Sequence, residues 1–196
     1  MKQCGPPTWV WAGKSAFTLI EMLVVIAIIG ILAAFIVGGV SRAGGSKVRS
    51  RVQTELNGLV AIIGQYHQVH GYYPQDNRNN SALSPLYHEL TQTTIPDSLT
   101  NDFGVNGIAN LGPKAQSFHK NLKPSGFVLY KMNGNDKSFL LAVPYKGPNP
   151  IAGADGTLIN PWHYRSSTPV HNPDGFDLWA EVVIGGKTNI IGNWKE

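Results

Sequence analysis

The longest apolar run in the chain is FTLIEMLVVIAIIGILAAFIVGGV, from Phe17 to Val40, and its one charged residue is Glu21. As a helix this run reaches about 36 Å, more than the roughly 30 Å of a bilayer core. The segment therefore predicts a membrane helix, and it is too long for the apolar region of an ordinary signal peptide. Beyond it the pattern changes from apolar on all sides to apolar on one side. Val48, Val52, Leu56, Leu59, Ile63, Tyr66 and Val69 follow steps of three and four, which predicts one buried face of a helix. Gly71 offers a C-terminal stop and Pro74 blocks continuation. One element from about Thr18 to His70 results, roughly 80 Å long if straight.

After Tyr72-Tyr73-Pro74 the periodicity fades. Gln75 to Ser81 reads as a polar loop, and Ser84 to Leu90 as a short helix with Pro85 at its first position. Residues 91–125 are rich in Asn, Gly, Pro and Thr and predict a long surface insertion. Phe127–Met132 and Ser138–Val143 then flank Asn133-Gly134-Asn135-Asp136-Lys137, a hairpin signal, with Pro144 ending the second strand. A last strand is expected over Phe176–Val183. The fold class is α+β, with a long N-terminal helix packed on a small antiparallel β-sheet head.

Composition excludes several classes. The chain has 196 residues, 42% hydrophobic and 14% charged, with a net charge of +4. A charged fraction well below the usual quarter fits a chain with a membrane-facing segment. The apolar content and five Trp exclude global disorder, and the single cysteine, Cys4, excludes a disulfide scaffold. No dense basic tract is present, so no nucleic-acid partner is predicted.

Glu21 is the anomaly, because a carboxylate within a bilayer is costly. Two readings stand side by side. Glu21 snorkels into the headgroups, or an α-amino group at Phe17, its own or a neighbouring copy's, neutralises it.

The segment Lys14-Ser15-Ala16-Phe17-Thr18-Leu19-Ile20-Glu21 resembles the prepilin peptidase site of type IV pilins and type II secretion pseudopilins. It has the short basic leader, a Phe at the first mature position, Glu at the fifth, and the long apolar helix behind them. It departs at Ala16, where the family has Gly, and at Gly38, where many members have Pro. The resemblance implies a leader over 1–16, a membrane-spanning and assembly half over 17–40, an amphipathic half over 41–73 and a head over 74–196. Ala16 and Phe17 are the implied processing residues, with Phe17 N-methylated by a prepilin peptidase. Phe17 and Glu21 are the implied assembly residues. Implied partners are the prepilin peptidase, other copies of the chain, minor pseudopilins, an inner-membrane assembly platform and the inner membrane itself.

Later segments narrow the likeness. Asn160-Pro161-Trp162-His163-Tyr164-Arg165, Gly175–Trp179 and Ile191-Gly192-Asn193-Trp194 resemble the closing segments of type II secretion major pseudopilins. This implies a structural subunit of a periplasmic pseudopilus, anchored in the bacterial inner membrane with its head in the periplasm. The first alternative is a type IV pilin or minor pilin for adhesion, motility or DNA uptake; the second is a membrane-anchored enzyme or ligand-binding domain. Charge counting alone points to the opposite orientation, since Arg42, Lys47, Arg49 and Arg51 outnumber Lys2 and Lys14.

The resemblance also implies a calcium loop before the final Trp. Here that stretch reads Ile184-Gly185-Gly186-Lys187-Thr188-Asn189-Ile190, without a carboxylate, leaving Asp177 and Glu181 as the candidate ligands. Calcium is not expected, and loop packing takes its place. His67 and His70, three apart, could share a metal, but exposed helix histidines are the simpler reading. His163 and His171 near Asp174 and Asp177 could suggest acid–base work, yet no nucleophile or phosphate-loop motif accompanies them. No enzyme is predicted.

Overall fold

The computed structural model describes residues 18–95, 103–105, 107–120, 126–131 and 137–195, and within the first helix it leaves out the side chains of residues 35–43. The chain divides into two compact units, Met1–Arg42 and Ala43–Glu196. One helix, α1 (Leu19–His70), supplies residues to both.

In the first unit every described side chain from Thr18 to Ala34 is exposed. The apolar pattern there is all-round, so a single chain has nothing to cover it with. Among the described residues no helix is long and apolar enough to cross a membrane. The span expected over 17–40 runs onto Phe17 and residues 35–40, beyond the described side chains.

In the second unit the expected face of α1 is the floor of the core. Val52, Leu56, Leu59, Ile63 and Tyr66 are buried, with Val48 partly so. Gly71 ends the helix with φ +82°, and its N–H donates to the His67 carbonyl at 2.7 Å. This is the left-handed cap that glycine adopts without steric cost. A short helix, α2 (Leu86–Thr91), follows. Pro85 stands just before it, not within it, and Ser84 Oγ accepts the Leu86 N–H at 3.2 Å.

Two antiparallel sheets complete the head. Strands β1 (Phe127–Lys131), β2 (Lys137–Val143), β3 (Ile151–Ala152) and β4 (Leu158–Pro161) form one, in the order β1-β2-β4-β3. The expected hairpin is present, with Lys131 opposite Lys137. Strands β5 (His163–Arg165), β6 (Asp177–Ile184) and β7 (Lys187–Gly192) form the other, with β6 central. The chain passes between the sheets at Trp162, which is buried and donates its N–H to the Leu141 carbonyl at 3.0 Å. Leu178, Ala180 and Val182, alternate residues of β6, face the same core as α1.

Two expectations need correction. The stretch 184–190 is a tight hairpin, not a loop. Gly185 (φ +59°) and Gly186 (φ +77°) make a two-residue turn between Ile184 and Lys187, and the rest belongs to β7. Positive φ at both central positions is what the twist of a short hairpin demands, and glycine supplies it. The insertion at 91–125 is also more than surface. Ile95, Phe103, Val105 and Ile108 are buried and form a second small core with Leu140.

That insertion is held by a buried carboxylate. Glu89 on α2 is fully buried, and it accepts hydrogen bonds from Tyr66 Oη (2.9 Å), the Ala109 N–H (2.7 Å) and the Asn110 N–H (2.9 Å). Gln75 Nε2 adds a fourth at 3.2 Å. Burial, then the charge of Glu89, pushes the Tyr66 phenol far above its usual range, so Tyr66 is a permanent donor.

Candidate assembly and processing site

Ala16 and Phe17, the expected processing residues, lie outside the described residues, as does the leader that contains Cys4. Glu21 and its surroundings are described. The Thr18 N–H and Thr18 Oγ1 both donate to Glu21 Oε2 at 2.8 Å. In return the Glu21 N–H donates to Thr18 Oγ1 at 3.3 Å. Thr18 is the N-cap of α1 and Glu21 its third helical residue, so the pair is a capping box. It satisfies two of the backbone donors that a helix start leaves unpaired. A carboxylate in the first turn also complements the positive end of the helix dipole.

The capping box adds a third role for Glu21 beside the two readings of its charge, and it brings in Thr18. The Thr-x-x-Glu spacing before an apolar run is a helix-start signature, so the partner was available from the sequence. Around this box stand the bare apolar side chains of α1: Leu19, Ile20 and Ile26 are 67–83% exposed. The site therefore couples a well-defined carboxylate to an apolar rod that has no cover of its own.

The other candidate residues are in places that serve packing. The Asp177 carboxylate points to the 170–172 loop and accepts the N–H groups of Val170 (2.6 Å), His171 (3.0 Å) and Asn172 (3.0 Å). Burial pushes this carboxyl up, but the donors from His171, Val170 and Asn172 outweigh it and hold it below the usual range. Glu181 sits four residues further along β6, about 13 Å away at strand spacing. With Asp177 saturated, Glu181 distant and a Gly-Gly turn beside Lys187, this donor set does not suit a calcium ion.

The histidines are corrected too. His67 stacks on Tyr73 at 4.3 Å, and His70 packs on Tyr66 at 4.4 Å; both are half-buried, not exposed. Their rings are used in separate aromatic contacts, and among the described residues no cluster of three or more His, Cys, Asp or Glu could hold a metal. His163 stacks on Trp179 and its Nδ1 meets Ser81 Oγ at 3.0 Å. His171 stacks on Trp194 at 3.9 Å, with Nδ1 3.4 Å from Asp177 Oδ2. Asp174 is exposed. The arrangement pins the C-terminal segment through stacked rings and the Ser81–His163 contact.

Comparison with known proteins now bears on this geometry. Residues 11–37 match the prokaryotic N-terminal methylation motif, which spans the expected cut and the capping box. The type IV major pilin protein PilE1 of Neisseria gonorrhoeae is 32% identical over 161 residues, covering 79% of this chain and 86% of that protein. The chain belongs to the type IV pilin-like family. A second pilin-like relative, the fimbrial protein EcpC of Eikenella corrodens, is 26% identical over 126 residues, covering 64% of this chain and 79% of that protein. No solved structure matches this pilin-like chain. These relatives are structural pilin or fimbrial proteins, not enzymes.

Proposed function

We propose that this pilin-like chain is the repeating subunit of a helical filament. Its precursor is held in the bacterial inner membrane by residues 17–40, with the head in the periplasm. A prepilin peptidase cuts after Ala16 and methylates the new amino group of Phe17. The subunits then leave the bilayer and pack their apolar helix halves together, with Glu21 setting the register between neighbours. The observation that carries this reading is the bare apolar helix that opens on the Thr18–Glu21 box. An apolar surface on every side of a helix needs lipid or other helices, and a filament supplies the second when the first is left behind.

Two machines use such a subunit. The similarity to a major pilin and a fimbrial protein supports a pilin of a surface fibre. The tight Gly185-Gly186 turn supports it as well, since it stands where the secretion-type likeness implied a calcium loop. The order of the Asn160–Arg165, Gly175–Trp179 and Ile191–Trp194 segments favours the second reading, a type II secretion pseudopilin. A deletion strain separates the two. Loss of surface motility, adhesion or transformation supports the pilin, and loss of secreted proteins supports the pseudopilin.

Glu21→Gln tests the assembly role itself. The variant keeps a carbonyl acceptor for Thr18 and removes the charge. It should insert and be cut normally, yet yield at least about a hundredfold fewer filaments, because an unpaired buried partner charge costs about 3 kcal/mol or more. Intact mass of the membrane-extracted protein reports cutting and methylation. Normal filament yield from that variant would leave Glu21 as a cap alone.

A further inference from the structure

The head carries its cations unevenly. Lys47, Arg49 and Arg51 are exposed on α1 where it enters the second unit. Arg49 Nη2 donates to Asn189 Oδ1 on β7 at 2.8 Å, and Asn189 Nδ2 donates to the Lys187 carbonyl at 2.9 Å. Arg51 Nη1 donates to Tyr145 Oη at 3.4 Å, and the Val183 N–H donates to the neighbouring Lys146 carbonyl at 2.9 Å. Gly45 lets the helix approach closely here: a Cβ at that position would lie 2.7 Å from Ile184 Cγ2. The β2–β3 connection, the β6–β7 turn and α1 thus gather Lys47, Arg49, Arg51, Lys146 and Lys187 at one end of the head.

The groups that fix Arg49 and Arg51 are a neutral amide and a neutral phenol, which cancel no charge. Among the described carboxylates, Glu55 acts on Arg51, and Glu181 lies further along β6, where it acts on His163. Among the described residues these five cations outnumber the carboxylates near them, Glu55 and Glu181. Lys146 and Lys187 are exposed as well, so the charge is open to a large partner.

We infer that this basic collar docks on the anionic phospholipid headgroups of the membrane that holds the precursor. The inference rests on the membrane-anchored reading above. Lys47 lies seven positions after Val40, the end of the apolar run. Even fully extended this stretch spans at most about 25 Å, so the collar stays within reach of the bilayer surface. Each cation beside an anionic leaflet strengthens association by roughly fivefold at low salt. An acidic face on a second copy is the weaker partner. Outside α1, which carries Glu21 and Glu55, the described exposed carboxylates are Asp155 and Asp174, on separate connections, and Asp155 is already bound by the N–H and Oγ1 of Thr157. Docking also accounts for the cations that follow the apolar run, which run against the charge-counting rule for a periplasmic head.

The test uses the full chain with Cys4→Ser and Thr188→Cys, labelled with a fluorophore at this exposed position near the start of β7. The protein is reconstituted in vesicles of phosphatidylcholine alone or mixed with phosphatidylglycerol, each doped with a headgroup-attached nitroxide quencher. Quenching should be several-fold stronger with phosphatidylglycerol. It should fall in high salt and in the triple variant Arg49→Gln, Arg51→Gln, Lys187→Gln. Equal quenching in the two lipids, or quenching unchanged in the triple variant, overturns the proposal. Quenching that follows protein density and ignores lipid charge also overturns it, in favour of a second copy. Flotation separates the two levels of failure. A chain that floats with both vesicle types is anchored whatever the collar does, and a chain that floats with neither removes the anchored reading and the collar's partner together.

Discussion

Between Leu19 and Leu32 eleven large apolar side chains are 46–83% exposed, whereas between Val52 and Tyr66 five are buried at 0–6% exposure. Both stretches are turns of α1 and both are rich in Leu, Ile and Val. The difference is angular. Apolar residues on every side cannot be covered by one chain, while apolar residues on one stripe can be covered by a sheet. Periodicity thus reports where the partner is: beyond the chain for the first stretch, within it for the second.

The sharpest way to break this comparison is Leu56→Ala. That side chain is fully buried against the head, so the variant should lower the stability of the second unit by about 3 kcal/mol. Chemical unfolding of the full chain in detergent measures it, and a loss within error would mean that the stripe is not what holds the head. Acid should act almost as strongly through His88. Its ring lies between Ser138 Oγ (2.7 Å) and Thr93 Oγ1 (2.8 Å), and burial pushes its pKa down to about 4. The unfolded chain takes up the proton near pH 6.5 and the folded chain only near 4, so stability is complete above pH 6.5 and falls as pH drops between those values. The loss approaches roughly 3 kcal/mol. His163, also lowered by burial, adds to it with the same sign. Unfolding midpoints from pH 7 to pH 4 should slope less in His88→Gln, and an equal slope would assign the acid sensitivity elsewhere.

Smaller effects refine the contrast. Gly185→Ala forces an alanine to φ +59° and should cost about 1–2 kcal/mol in the same unfolding assay. Ile28→Ala removes an exposed side chain from the other half of α1. It should change head stability by less than about 0.5 kcal/mol, while reducing filament yield measured by shearing and sedimentation. A large stability loss from Ile28→Ala would erase the distinction between the halves.

Much of the architecture could be read from the chain because its signals are local. The three-and-four spacing from Val48 to Tyr66, the Gly71 stop and the hairpin over 127–143 each depend on neighbours within a few residues. Strand β7 is hidden in the sequence because Lys187-Thr188-Asn189 is polar and Gly185-Gly186 reads equally well as part of a longer loop. The insertion is hidden for the opposite reason. Ile95, Phe103, Val105 and Ile108 have no period, and they meet Leu140 only through the fold. Glu89 looks like an ordinary exposed acid in Ser84–Leu90, since its donors at Ala109 and Asn110 come some twenty residues later. At the helix start, Glu21 stands out by its charge, whereas Thr18, which completes the box, shows only through the Thr-x-x-Glu spacing.

The grip of Glu89 has a consequence for how such a molecule can diversify. The carboxylate holds the insertion chiefly by main-chain N–H groups, which every residue but proline presents. Ala109 could be exchanged for most other amino acids without releasing the clasp; Asn110, whose side chain also spans the Glu89 and Gln116 carbonyls, could not. The exposed run 111–114 beside this clasp is therefore a façade on a fixed mount. A lineage pressed to alter its outward appearance could redraw it repeatedly while the frame behind stays the same.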